Sequence, residues 1–222
     1  MPKVVFDIET RGFEGSELDP IIKESLIKNV VSEEEQADVL ARTGLLPISG
    51  EVVAIAMLNP DTGKGKIYFQ APESENKNYE QSGVEFIVAT EKEILEKFWL
   101  DIKFYDQIIT YNGRGFDVPF IIFRSIALGI KPTKNLMPYR YSSKDHFDIL
   151  DQLTFYGAFR KFSLEVLCRA FNIKNPKEEG VSGLAINELF KNKDYQTIAE
   201  YCMRDVVATK ELYEKVKAFI EI

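Results

Sequence analysis

The sequence contains few of the residues that form thiolate or imidazole metal sites. It has two cysteines and one histidine in 222 residues. Cys168 and Cys202 lie within apolar helical patterns and lack metal-ligand spacing, so we interpret them as small buried hydrophobic residues. His146 stands apart from the acidic motifs described below, and we expect it to have a structural role.

Long apolar runs are also absent. No run approaches the ~18 to 20 uninterrupted apolar residues of a membrane span, and the N-terminus lacks the basic region, apolar stretch and cleavage site of a signal peptide. We therefore expect a cytoplasmic protein with no membrane partner. The length of 222 residues suits one sizeable α/β domain, so residues 1–222 are predicted to form a single domain.

An excess of positive charge is missing as well. Lysine and arginine number 28 against 35 aspartates and glutamates, which gives a net charge of -7. Proteins that coat nucleic acid nonspecifically usually carry a basic field, so this class is disfavoured. An enzyme that acts on nucleic acid is still compatible with the charge, because carboxylates that hold divalent cations contribute to the negative balance while the cations face the phosphate.

Strand patterns dominate the first part of the chain. Residues 4–10, VVFDIET, predict a strand, and residues 50–70 predict a hairpin around the turn NPDTGKG. Together they indicate three consecutive antiparallel strands. The GxxxxGK[ST] spacing of a phosphate-binding loop is absent from this turn. Further short strands are predicted in residues 107–113 and 146–153.

Helices are predicted where apolar residues recur at helical spacing. These segments are residues 91–104, 117–130 and 162–173, and the region from Val181 nearly to Ile222. Residues 21–42 have helical features but irregular apolar spacing. We therefore interpret residues 13–49 as a helical insertion at the periphery.

Two acidic residues interrupt the first predicted strand. Asp7 and Glu9 share one face of it, because strand side chains alternate with a period of two, while Phe6 and Ile8 point to the other face. A pair of this kind is common on a solvated strand surface. Charges in an otherwise apolar strand nevertheless call for a partner.

Two further polar motifs follow along the chain. In TYNGRGFDVPF a strand ends, glycines allow a tight turn, and Asp117 arrives at the start of a helix, where it could serve simply as an N-cap. In EYCMRDVVATKELY, Tyr201 and Asp205 are four residues apart and therefore neighbours on one helical face. Alone, such a pair usually lies on a solvent-exposed helix surface and has no functional role.

Taken together, the motifs supply four carboxylates and a phenol, the groups that two-metal phosphodiester cleavage uses. Two hard cations about 4 Å apart can bind the attacking and leaving oxygens at phosphorus, and such cations prefer oxygen ligands. Four acids placed close together would repel one another without cations. We therefore predict that two divalent ions, Mg²⁺ or Mn²⁺, are held by Asp7, Glu9, Asp117 and Asp205.

The ordered segments FDIET, YNGRGFD and Tyr201-Cys-Met-Arg-Asp205 resemble the three exonuclease motifs of the DEDD superfamily of 3′–5′ exonucleases. The tyrosine indicates the DEDDy branch, since the histidine branch would carry a histidine five residues before Asp205. The chain is similar to the proofreading domain of family B DNA polymerases and its free-standing bacterial relatives. Residues 146–153 and 162–173 also resemble the strand and helix between the second and third motifs.

The resemblance implies an RNase H-like α/β fold. Its mixed five-stranded sheet would begin with an antiparallel three-stranded meander and be flanked by helices. The resemblance further implies that Tyr201 orients or deprotonates the attacking water. Asn112 and Phe116 would lie near the terminal nucleotide, Thr10 would meet it through its backbone, and Asp148 is a second-tier candidate for substrate binding.

The implied activity is the metal-dependent removal of nucleoside 5′-monophosphates from the 3′ end of single-stranded nucleic acid, with DNA favoured over RNA. Two alternatives stay open. One is an exoribonuclease that trims RNA with the same acids. The other is a non-catalytic module that binds nucleic acid or a replication or repair partner protein, although the presence of all four acids argues against it.

Basic and aromatic residues are concentrated between the second and third motifs. Such residues either solvate a loop or form an edge that follows a nucleic-acid backbone beside the metals. The residues concerned are Lys131, Lys134, Tyr139, Arg140, Tyr141, Lys144, Arg160 and Lys161.

Overall fold

The computed structural model describes residues 1–72, 78–176 and 183–220, without the side chain of Leu184. A mixed seven-stranded sheet with the order β4-β5-β3-β2-β1-β6-β7 runs through it. The strands are β1 (Lys3–Gly12), β2 (Gly50–Leu58), β3 (Gly65–Phe69), β4 (Tyr79–Gln81), β5 (Val84–Val88), β6 (Gln107–Thr110) and β7 (His146–Asp148).

The predicted α/β class and the opening meander are confirmed. β1 pairs with β2, and β2 with β3, in antiparallel fashion. β6 pairs in parallel with β1 on one side and with β7 on the other.

The predicted number of five strands is wrong. β4 and β5 form a small hairpin that extends the sheet beyond β3, and β5 pairs with β3 in parallel. The turn between them uses Ser82 and Gly83, both at positive φ, as two-residue hairpins favour. β4 is only three residues long and largely exposed, so it carries little of the apolar alternation from which strands are predicted.

Helices cover both faces of the sheet. They are α1 (Pro20–Ile27), α2 (Glu33–Ala41), α3 (Glu91–Ile102), α4 (Asp117–Ala127), α5 (Ile149–Leu153), α6 (Leu164–Ala170), α7 (Ile186–Lys191) and α8 (Tyr195–Ile220). One apolar cluster packs α3 and α4 against the sheet, and a second packs α6, α7 and α8 against the other face. Among the described helices, none is long and apolar enough to cross a membrane.

Two predicted segments differ in detail from the structure. Residues 146–153 were expected to form one strand, but β7 ends at Asp148, whose carboxylate accepts hydrogen bonds from Leu150 N and Asp151 N and so caps α5. The single C-terminal helix is divided into α7 and α8 by a turn with Lys193 at φ 61°. Residues 181–182 and 221–222 of that prediction lie outside the described residues.

Residues 13–49 contain helices, as expected. Neither α1 nor α2 has a buried residue, which explains the irregular apolar spacing. The segment returns to the sheet through a short 3-10 helix, Thr43–Leu45, whose Gly44 lies close to the backbone of Arg11 and Gly12.

The residues expected to be structural are buried. Cys168 and Cys202 are free thiols with no exposed surface. His146 hydrogen-bonds Thr110 through Nε2 and the carbonyl of Leu136 through Nδ1. Burial lowers the pKa of His146 to about 3, so the ring is neutral at pH 7.

Candidate active site

The middle of β1 has one open edge. β1 pairs with β6 only from Lys3 to Val5, whereas it runs beside β2 as far as Gly12. On the stretch of β1 that β6 does not pair with, Ile8 N donates a hydrogen bond of 3.1 Å to Oδ1 of Asp117. The first and second motifs, 109 residues apart in the chain, are therefore joined directly.

Asp117 is not the N-cap of its helix. It is the first residue of α4, and the cap position belongs to Phe116, which makes no side-chain capping bond. With 3% of its surface exposed, Asp117 lies at the base of a cleft. The capping explanation for this residue therefore does not apply.

A cleft of about 460 Å³ brings the predicted catalytic residues together. β1 contributes two of them, the start of α4 one and α8 two; they are Asp7, Glu9, Asp117, Tyr201 and Asp205. Asn112 and Phe116, predicted near the terminal nucleotide, line the same cleft.

Strand geometry accounts for the first two acids. Val4, Phe6 and Ile8 belong to the core beneath α3 and α4, so the alternate residues Asp7 and Glu9 face α8. The pairing register with β2 shifts immediately after Glu9, as at a β-bulge. Bulges next to active sites redirect side chains, and this one follows the acidic pair.

A thiol lies beside the acidic pair. Ligand atoms of Asp7, Glu9 and Cys202 all fall within 4.8 Å of one another. However, Cys202 Sγ donates to the carbonyl of Asp7 at 3.5 Å, and burial raises the pKa of the thiol well above its usual value. The groups available to a hard cation are therefore the carboxylates.

Burial and repulsion from neighbouring acids raise the pKa values of Asp7 and Asp117. The pKa of Asp7 is well above the ordinary aspartate value, first because the residue is buried and then because Asp117, Asp205 and Glu9 lie nearby. Burial also raises the pKa of Asp117 to about 7. Full ionisation of these groups is unfavourable without a cation, so the donor set fits divalent metal ions.

Tyr201 and Asp205 lie one turn apart on α8, with the phenol ring 2% exposed. Burial raises the pKa of Tyr201 far above its usual value, and the carboxylates of Asp205, Glu9 and Asp7 add to the shift. The Arg204 guanidinium stands 5.7 Å from the centre of the ring. Tyr201 is therefore a protonated hydrogen-bond donor at neutral pH.

The second-motif loop is held by Asp148. Asn112 adopts φ 62°, and its N–H donates to Oδ1 of Asp148, while Arg114 N donates to Oδ2. Burial raises the pKa of Asp148. Among the described residues Asp148 is not part of the cleft lining. Its predicted contact with substrate stays a prediction, and these bonds favour a positioning role.

Thr10 lies beyond the cleft, in an adjoining small pocket. Its hydroxyl donates to the carbonyl of Gly44 at 2.6 Å, so the side chain is committed to the segment 13–49. A contact between the Thr10 backbone and a nucleotide stays a prediction.

Residues just before α6 and in its first turn line a part of the cleft that the motifs do not include. Lys161, Phe162 and Glu165 line it, and the Tyr111 hydroxyl donates to the carbonyl of Phe162 at 2.5 Å. Lys161 is the only lysine or arginine among the described residues of the lining. In the sequence nothing distinguishes it from the neighbouring Arg160, because only the tertiary structure brings it to the acids.

The chain resembles known archaeal polymerases. It is 29% identical over 133 residues to "DNA polymerase 1" of Saccharolobus solfataricus, covering 55% of this chain and 15% of that protein. It is 22% identical over 175 residues to "DNA polymerase 1" of Sulfolobus acidocaldarius, covering 72% and 19% respectively. The chain therefore spans less than a fifth of either relative.

A solved structure has the same fold. The family B DNA polymerase from the hyperthermophilic archaeon Pyrobaculum calidifontis superposes with a TM-score of 0.61 and 18% identity, over 97% of this chain and 24% of that one. This agrees with the expected RNase H-like fold apart from the strand count. Residues 51–221 match the family described as "Predicted 3'-5' exonuclease related to the exonuclease domain of PolB". The chain belongs to this family of PolB-related predicted exonucleases.

Proposed function

We propose that the chain is a metal-dependent 3′–5′ exonuclease that releases nucleoside 5′-monophosphates from single-stranded DNA. The observation that carries the proposal is the meeting of four carboxylates and one phenol in a single cleft, from three separate parts of the chain. Family membership supports the exonuclease class. We further propose that residues 1–222 act as one exonuclease domain.

Two divalent cations, Mg²⁺ or Mn²⁺, would be held by Asp7, Glu9, Asp117 and Asp205. When bound, such cations generate a nucleophile from water and offset the charge that develops on the phosphate. The raised pKa values of Asp7 and Asp117 support this role, because a cation compensates the repulsion that raises them.

The Tyr201 phenol would donate a hydrogen bond that orients the attacking water or a phosphate oxygen. A general base must give up its own proton before the reaction, and the raised pKa of Tyr201 opposes that. The side chain is held by burial on α8, so its orientation is preorganised. We therefore assign it the orienting role and not the deprotonating one.

The terminal nucleotide would be held by other residues that line the cleft. The half-buried ring of Phe116 packs against Phe120 at a centroid distance of 5.6 Å and leaves part of its surface to the cleft. Asn112 offers an amide, and Lys161 offers a positive charge to the phosphate. Asp148 would act indirectly, by fixing the backbone of Asn112 and Arg114.

DNA is favoured over RNA because the matched relatives are DNA polymerases. A protein of replication or repair is the partner class that this similarity suggests. The acids that gather in the cleft argue against a purely non-catalytic module.

The test is digestion of a 5′-labelled DNA single strand with Mg²⁺, with Mn²⁺ and with EDTA. Stepwise shortening of the labelled strand, with nucleoside 5′-monophosphates as the other product, is expected with metal and should stop in EDTA. An RNA strand of the same sequence tests the choice of polymer, and circular DNA tests the need for a free end. Asp61→Asn, in the exposed β2–β3 turn, serves as the matched control for Asp7→Asn. Equal digestion by Asp7→Asn and the control would overturn the assignment.

A further inference from the structure

Aromatic rings lie in two groups near the cleft, one in the segment before α6 and one at the turn after α5. Phe162 lines the cleft, and the ring of Phe159 lies 6.3 Å from it. In the turn that follows α5, the ring centre of Tyr156 lies 4.8 Å from that of Tyr141. The ring centre of Tyr141 lies 5.6 Å from that of Tyr139. With Phe155, these six residues form what we call the aromatic strip. Most of their rings are exposed to solvent.

Helix α5 ends in an unusual way at the turn that contributes Phe155 and Tyr156 to the strip. Tyr156 N donates to the carbonyl of Asp151 and Phe155 N to that of Gln152, the two bonds of a Schellman motif. Phe155 therefore occupies the left-handed position that favours glycine, at φ 50°, and Tyr156 follows at φ 57°. Two bulky residues in this region are strained.

Two other helices, α4 and α6, end in the same motif without this strain, whereas α7 ends in it with Lys193 at φ 61°. Gly129 after α4 and Asn172 after α6 occupy the equivalent position, and both residue types tolerate it. The ring of Phe155 is 67% exposed, so little burial compensates for its backbone conformation. Backbone strain that packing does not explain is typical of binding sites.

Positive charge lies where the strip meets the cleft. The Arg160 guanidinium stands 4.8 Å from the centre of the Phe162 ring, and Lys161 lines the cleft. Other basic residues of the predicted concentration are engaged elsewhere: Arg140 pairs with Asp151 at 2.6 Å, and Lys134 donates to the carbonyl of Tyr105. The cations beside the cleft would meet phosphates, and the rings beyond would meet bases.

We propose that the aromatic strip binds unpaired bases of a nucleic-acid strand whose 3′ end occupies the cleft. The inference rests on the proposed function for the direction of the strand. Exposed rings next to cations suit single strands, because every base has a face that can stack, whereas a duplex offers no free faces. DNA and RNA share this chemistry, and separate arms of the test distinguish them.

The experiment measures binding of a fluorescent oligo(dT) strand to the full chain in EDTA, by anisotropy. Loss of one stacking ring typically costs about tenfold in affinity, so Phe159→Ala and Phe155→Gly should each weaken binding about tenfold. The control is Phe104→Ala, which removes a ring 68% exposed just after α3, and it should bind like the wild type.

Phe155→Gly should unfold at the same temperature as the wild type or higher, because glycine relieves the strain. Weakened binding would then have no explanation in lost stability.

Hydrolysis of a dinucleotide separates this inference from the proposed function, because a dinucleotide is too short to extend from the cleft to the outer rings of the strip, in the turn after α5. Loss of affinity for long strands that exceeds any change on the dinucleotide supports the strip. If both variants bind oligo(dT) as tightly as Phe104→Ala, the strip is not a binding site, even in an active exonuclease. If long-strand binding falls but no metal supports hydrolysis, the strip stands and the proposed function fails. Parallel oligo(U) and duplex probes establish whether RNA is accepted and whether unpaired bases are required.

Discussion

Buried carboxylates are treated differently in two regions of the molecule. At the start of α3, Glu91 is 7% exposed and forms a two-pronged ion pair with Arg124, at 2.8 and 2.7 Å. In the cleft, Asp117 is 3% exposed, and its nearest charged influences are other acids, Asp148 and Asp205. The two carboxylates are therefore buried to a similar extent, but Glu91 faces a positive charge and Asp117 faces negative ones.

The difference indicates what each region is built for. A buried carboxylate that faces a guanidinium is satisfied within the folded chain, so it contributes to the native structure under all ionic conditions. Carboxylates that face one another raise each other's pKa values, and a bound cation would relieve that repulsion. The pair Glu91–Arg124 thus stabilises the fold, whereas the cleft acids suit the proposed cation site.

The largest effect is expected when one cleft acid is replaced. Asp7→Asn should reduce exonuclease turnover by more than the ~10² to 10⁴-fold that a single acid-base group contributes, because metal binding itself is impaired. Its thermal unfolding in EDTA should be unchanged or shifted upwards, since one repulsive charge is gone. Single-turnover digestion and calorimetry measure the two quantities. Wild-type turnover with Mg²⁺ would contradict the role of Asp7.

The paired acid should respond in the opposite way. Glu91→Gln leaves the Arg124 guanidinium without its ionic partner and should lower the free energy of unfolding by about 3 kcal/mol. Turnover below the unfolding transition should be retained. Urea denaturation measures the loss, with Glu96→Gln, an exposed acid on the same helix, as the control. Equal stability of the two variants would show that the pair contributes little.

Local periodicity made the placement of four candidate catalytic residues predictable. The period of two in β1 places Asp7 and Glu9 on one face, and helical spacing places Tyr201 and Asp205 on another, so neither inference requires knowledge of the tertiary fold. The class of fold followed from the order of the same patterns. Family resemblance then indicated which acids would meet.

Contacts between distant segments were not predictable from the pattern. The bond from Ile8 N to Asp117 exists because β6 diverges from β1, a feature of three-dimensional pairing. Asp148 lies in a strand, as the pattern predicts, but the pattern does not show that its side chain caps α5 and holds the second-motif loop. Helix endings are equally hard to foresee when Phe155 occupies a position that usually requires glycine.

A subtler test changes one hydroxyl on α8. Tyr201→Phe should lower turnover by about tenfold to a hundredfold, at or below the lower end of acid-base contributions, while Mn²⁺ binding stays near normal. Asp205→Asn should lose more turnover and bind Mn²⁺ more weakly. Tyr213→Phe is the matched control, because Tyr213 is also buried on α8 and its hydroxyl accepts a bond from Lys3 at 3.0 Å. If Tyr201→Phe lost as much turnover as Asp205→Asn while binding metal normally, an orienting role would be insufficient.

The smallest expected effect is the pH dependence of stability without metal. Because the folded-state pKa of Asp117 is raised to about 7, its carboxyl binds a proton more tightly in the folded protein than in the unfolded chain. Its contribution to stability is therefore complete below the ordinary aspartate pKa of ~3.9 and is lost as the pH rises through about 7. His146 acts in the opposite direction, because its lowered pKa gives stability that is present above ~6.5 and is lost on acidification.

The contribution of Asp117 can be isolated by subtraction. Asp117→Asn retains an Oδ1 acceptor for Ile8 N and the same His146, so the difference between the two proteins removes the histidine term. In EDTA, the wild type should lose stability relative to Asp117→Asn between about pH 5 and pH 8, as measured by urea denaturation. Saturating Mg²⁺ should reverse the trend, since cations bind the deprotonated carboxylates and their affinity rises with pH. A difference that stays constant across this pH range in EDTA would mean that Asp117 ionises normally, and the contrast with the paired acid Glu91 would then have to rest on geometry alone.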